Sequence, residues 1–144
     1  VQGGGTVEGE LLGGCLDVFI EVMGTSIWPT KEQWRGKIMF LETSEEDMST
    51  TYLTWILRNL AAQGLFDVIK GVLVGKPARR SKYQPYKEVY RTVVGQESGR
   101  PELPILCNVN FGHAEPIGVI PYGARCRLDM DKKTITLLEP ATEP

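Results

Sequence analysis

Three short apolar runs constrain what this chain can fold into. "GKIMFLE" (36–42), "GVLVG" (71–75) and "PILCNVN" (104–110) are each too short for a helix and are bounded by glycine, proline or charge, so each reads as a strand buried on both faces. The segments between them have helical spacing. After the first run, Thr43 or Ser44 can cap a helix with Glu45, Glu46 and Asp47 in its first turn. Its buried stripe is Leu53, Ile56, Leu57 and Leu60, and Gly64 is its stop. A second helix starts near Pro85, aligns Tyr86, Val89, Tyr90 and Val93 on one face, and ends before Gly95. Strand, helix, strand, helix, strand is the pattern of a parallel sheet with right-handed crossovers.

The flanks extend this α/β pattern. "TVEGELL" (6–12) reads as a strand, and "GGCLDVFIEVMGT" as a short helix with Leu16, Phe19, Ile20 and Met23 at spacings of three and four. In the tail, "GVIPYG", "ARCRLDM" and "KTITLLE" read as antiparallel strands, the last two joined by a turn at "DMDKK". No repeat, low-complexity tract or linker interrupts the 144 residues. At 42% hydrophobic and 24% charged they suit a single domain with a real core.

Composition removes several function classes. A formal net charge of -2 provides no broad basic field for nucleic acid, and the basic run "KPARRSK" (76–82) reads as a solvated turn. Cys15, Cys107 and Cys126 are odd in number and widely spaced, which argues against both a disulfide framework and a zinc site and for a reducing, cytoplasmic setting. No apolar stretch is long enough to span a membrane, and "VQGGGTVEGE" does not have the form of a signal peptide. The first residue is Val1, which suggests a processed chain or part of a longer one.

Chemistry converges on one edge. Strands of a parallel sheet end at the same side, where open α/β sheets place their ligands. Glu42 ends the first apolar strand, and His113, the only histidine, follows the third in "NVNFGHAEP". A carboxylate that accepts one ring N–H fixes the imidazole tautomer and leaves the other nitrogen free to take a proton from a nucleophile. No such nucleophile is visible. Ser26, Ser44, Ser49, Ser81 and Ser98 lack an elbow around them, and Cys107, inside "PILCNV", reads as a small core residue. "GVLVGK" lacks the glycine spacing of a phosphate loop, and the N-terminal "GGG" that of a dinucleotide fingerprint.

The segments "GELLGGCLDVFIEVMGTSIWPTKEQWRGKIMFLETSEE", "GVLVGKP" and "PILCNVNFGHAEPIGVIPYGARCRLD" occur in an order that resembles the C-terminal domain of the LD-carboxypeptidase family of serine peptidases. "FLETSEE" and "NVNFGHAEP" are most similar to its microcin C self-immunity branch. The resemblance covers nearly the whole chain. It implies a three-layer swivelling β/β/α domain with a parallel central sheet and an antiparallel C-terminal part. It also implies a split catalytic centre, in which an N-terminal domain supplies the serine and this domain supplies Glu42 and His113. Gly13 and Gly14 would approach substrate, no metal or organic cofactor is required, and a homodimer is possible in principle. Cys15 and Trp55 depart from the asparagine and arginine of many carboxypeptidase members. Those departures favour the immunity branch, which resembles amidases acting on peptidyl or aminoacyl nucleotides, over murein peptide as substrate. The contrasting expectation is a non-catalytic binding domain, inert as an isolated chain.

Overall fold

A computed structural model describes residues 1–142. Its six-stranded sheet has the order β4-β3-β2-β1-β5-β6. The strands are β1 (Thr6–Cys15), β2 (Ile38–Glu42), β3 (Gly71–Gly75), β4 (Ile105–Val109), β5 (Arg125–Asp129) and β6 (Thr134–Leu137). β1 to β4 run parallel, whereas β5 and β6 are antiparallel to their neighbours. The mixed α/β architecture with an antiparallel C-terminal part is the one expected from the sequence.

β1 joins the two parts. Leu11 to Cys15 pair with β2, and Thr6 to Glu10 pair with β5, so one strand belongs to both regions. Side chains alternate along each strand. Met39 and Leu41 of β2, with Val72 and Val74 of β3, face the helices. There they bury Leu53, Ile56, Leu57 and Leu60 of α3 (Thr50–Ala62) and Tyr86 and Tyr90 of α4 (Tyr83–Tyr90). Ile38, Phe40 and Leu73 face the other way, against Cys126 and Leu128 of β5 and Phe111 of the loop after β4. Helices thus cover one face of the parallel strands, and the antiparallel part closes over the other.

Several local expectations are corrected. The α3 stripe is as predicted and Gly64 ends it with φ +70°, but the helix starts at Thr50 and Ser49 is its cap. Residues 43 to 49 form a loop because tertiary partners hold their polar groups. The Ser44 N–H donates to Asp17 Oδ2 at 2.8 Å, and the Tyr86 hydroxyl donates to the Met48 carbonyl at 2.6 Å. α4 begins two residues before Pro85 and continues as a π-helical segment (Arg91–Glu97), so Gly95 lies inside it. A side chain there would strike Gln2, whose amide donates to the carbonyls of Arg100 and Leu103.

β1 runs on through the glycine pair to Cys15, and the helix after it, α1 (Leu16–Val22), buries Leu16 and Phe19 while Ile20 stays exposed. "GVIPYG" is loop rather than strand, with Val119 and Tyr122 exposed. A short helix, α2 (Lys31–Trp34), was not foreseen; a reciprocal capping box between Thr30 and Gln33 opens it.

Two substitutions test this packing. Leu57→Ala, at a fully buried position, is expected to lower unfolding free energy by about 2–5 kcal/mol. Ser49→Ala, which removes the α3 cap, is expected to lower it by about 0.5–2 kcal/mol. Urea unfolding monitored by circular dichroism measures both.

Candidate active site

The ends of β1 and β2 are in register, with Cys15 opposite Glu42. Glu42 continues the Ile38 and Phe40 row, on the face opposite the helices, and is 9% exposed. Two glycines shape its slot. A side chain on Gly75, at the end of β3, would lie 2.8 Å from the Glu42 Cβ. One on Gly112 would lie 2.7 Å from Glu42 Oε2, and the Gly112 backbone has φ +92°, a conformation suited to glycine.

His113 is held above this slot by its own loop. Phe111 anchors the loop in the core, edge-on to Phe40 at a centroid distance of 6.0 Å, and Ala114 is buried on the other side. The Gly118 N–H donates to the Asn110 carbonyl at 2.7 Å and closes the loop. His113 Nδ1 stands 2.7 Å from Glu42 Oε2, although the two residues are 71 positions apart. The imidazole remains 43% exposed, and its Nε2 faces the outer side, 3.6 Å from the exposed Glu45 carboxylate.

Electrostatics follow from this arrangement. The hydrogen bond to Glu42 raises the His113 pKa above its ordinary value of 6.5, against a smaller opposing effect of burial. Burial, then the Glu42 charge, pushes the Cys15 thiol up to about 11. Cys107 packs against the helix-side core, where burial pushes its thiol up to about 12; it is a core residue rather than a thiolate nucleophile.

The paired glycines at the end of β1 have packing roles. A side chain on Gly13 would run into the Phe40 carbonyl, and one on Gly14 into Phe19 and the Tyr122 hydroxyl. Gly13 is buried and its carbonyl accepts from Tyr122, while Gly14 keeps partial exposure. Sequence reading passed over Gly75, Cys15 and Tyr122 as parts of this site, whereas Glu45, the alternative to Glu42 as the acid partner, lies near His113 but on the Nε2 side. The signal for Cys15 was available, since it ends the strand next to that of Glu42.

Beside His113 opens a cleft of about 720 Å³ lined by Lys76, Arg80, Tyr83, Asn108 and Glu115. Part of the basic run read as a solvated turn therefore faces the site. Among the described residues, no hydroxyl is hydrogen-bonded to either imidazole nitrogen. The geometry pairs an imidazole with a carboxylate, and no hydroxyl of the described residues stands ready beside it.

Residues 8–128 match the family model of the LD-carboxypeptidase C-terminal domain. The chain belongs to this family. It is 27% identical over 141 residues to the microcin C7 self-immunity protein MccF of Escherichia coli, covering 95% of this chain and 38% of that protein. A "probable murein peptide carboxypeptidase" of Bacillus subtilis is 28% identical over 138 residues, which is 92% of this chain and 40% of that one. An MccF-like protein of Streptococcus pneumoniae, whose crystal structure contains AMP, superposes with a TM-score of 0.84 at 32% identity, over 94% of this chain and 42% of that one. The chain thus spans about two-fifths of the length of the relatives it matches. Among the described residues, no helix is long and apolar enough to cross a membrane.

The single histidine allows a direct test. Its proton NMR titration should have a midpoint above 6.5, because the carboxylate favours the imidazolium, and Glu42→Gln should bring the midpoint down. Gly112→Ala should act in the same direction by forcing a methyl group against Glu42 Oε2, and should destabilise the fold by about 1–3 kcal/mol. An unchanged midpoint in both variants would contradict the pairing.

Proposed function

We propose that this chain is the acid–base half of a two-domain serine amidase or carboxypeptidase, with the nucleophilic serine on an N-terminal domain. The supporting observation is the 2.7 Å contact between His113 Nδ1 and Glu42 Oε2, which leaves Nε2 on the open side. A hydroxyl delivered to that side attacks an amide carbonyl. His113 accepts its proton and returns it to the leaving amine, while Glu42 holds the ring and balances its charge. Glu45 is exposed and free to swing aside as the hydroxyl docks. Of the glycine pair, Gly14 is the one whose main chain is open to a substrate in this reading.

Exposed apolar residues around the site suit a covering partner domain. Ile117 and Val119 protrude from the His113 loop, and Val18 and Ile20 from α1. The cleft beside His113 carries Lys76 and Arg80, which favour an anionic substrate. Solved MccF holds glutamyl sulfamoyl guanosine and its S. pneumoniae relative holds AMP, so we place a peptidyl or aminoacyl nucleotide ahead of a murein peptide. Three free cysteines fit a cytoplasmic site of action.

In the protein that carries both domains, His113→Ala is expected to lower kcat on the order of 10⁶-fold and Glu42→Ala on the order of 10⁴-fold, with the fold preserved. Stopped assays on an aminoacyl nucleotide and on a murein tetrapeptide measure turnover and rank the two substrates. Undiminished turnover in His113→Ala would reject the reading and leave the non-catalytic binding domain in its place.

A further inference from the structure

We propose that Cys15, Glu42 and His113 form a three-ligand site for a thiophilic divalent metal ion of the zinc class. The thiol sulfur, a carboxylate oxygen and an imidazole nitrogen all lie within 4.8 Å of one another. Tetrahedral bonds of about 2.0–2.3 Å to zinc place donor atoms roughly 3.3–3.8 Å apart, so small shifts close this triangle around an ion. The donors most able to shift are at least partly exposed. Cys15 and His113 both keep solvent access, whereas Glu42 is fixed in its glycine slot.

The fold supports each ligand. Register between β1 and β2 sets Cys15 beside Glu42 at the sheet edge, and the Phe111-anchored loop brings His113 over both. Sulfur, nitrogen and oxygen together suit zinc, and three protein ligands leave the fourth position to water. Two further carboxylates stand close to the three ligands, while Lys76 and Arg80 line the adjoining cleft. Asp17 Oδ2 lies 3.5 Å from the Cys15 sulfur, and Glu45 lies 3.6 Å from His113 Nε2, so two negative charges flank a bound dication. The Cys15 thiol releases its proton to solvent as the metal–sulfur bond forms, and the ring proton shared by Nδ1 with Glu42 moves to Nε2 when Nδ1 takes the ion.

Occupancy would use the imidazole lone pair that a general base requires, making the ion a reversible inhibitor. That consequence rests on the proposed function; the site itself does not.

The test is titration of the chain with Co²⁺, followed by competition with Zn²⁺. Wild type should develop thiolate-to-cobalt charge-transfer absorption with the intense d–d bands of four-coordinate cobalt, and Zn²⁺ should abolish both. Cys15→Ser should remove the charge-transfer band and weaken Zn²⁺ binding by at least the roughly 10–100-fold that even an outer-shell change causes. His113→Asn, in an exposed loop, should weaken binding similarly whether or not Cys15→Ser folds, and Cys107→Ser should leave both signals intact. Folding of each variant is checked by circular dichroism. Absence of a thiolate band in the folded wild type, its survival in folded Cys15→Ser, or full Zn²⁺ affinity in His113→Asn would overturn the site. None of these readouts needs a nucleophile or a substrate, so failure here leaves the hydrolase reading standing, and failure of that reading leaves the metal site standing.

Discussion

The hydrogen bond between Glu42 and His113 is the contact on which the rest of the site depends. A nearly buried carboxylate without a partner is unfavourable by several kcal/mol, because the interior replaces little of its lost hydration. Here the imidazole supplies that partner, and Gly75 and Gly112 supply the room. The same bond biases the tautomer, raises the affinity of the ring for a proton and leaves its far nitrogen exposed. Structural support and acid–base character therefore come from one interaction.

That interaction is possible only because β1 serves two regions of the sheet. Its second half places Cys15 level with Glu42, and its first half carries β5, whose Cys126 and Leu128 help enclose Phe111. Phe111 in turn holds the histidine loop. Packing of the antiparallel part against the parallel strands thus reaches the site through one aromatic anchor. The helix-side core, built on α3 and α4, stiffens the opposite face and leaves the carboxyl edge uncovered.

The uncovered edge leaves the imidazole and its carboxylate partner open to a group from outside the domain. An imidazole oriented by a carboxylate raises the reactivity of a hydroxyl only when one is within hydrogen-bond reach. The same openness admits other occupants. A thiol beside the pair converts an acid–base couple into a potential chelating set, a property that neither Cys15 nor His113 has alone.

Sequence by itself determined the strand and helix alternation, the α3 stripe of Leu53, Ile56, Leu57 and Leu60, and the shared edge of Glu42 and His113. These follow from hydrophobic period and from the geometry of parallel sheets, both of which are local or topological rules. It missed the true start of α3, because Asp17 and Tyr86 hold the 43–49 loop from distant parts of the chain. It missed the length of β1 and the absence of a strand at "GVIPYG", where pairing partners and not propensity decide. Only the tertiary structure decided that two glycines enclose the carboxylate, that the imidazole meets it at 2.7 Å and that Cys15 joins them. Positions 15, 42 and 113 have no spacing that a linear motif could express; their proximity is a product of strand register and loop packing.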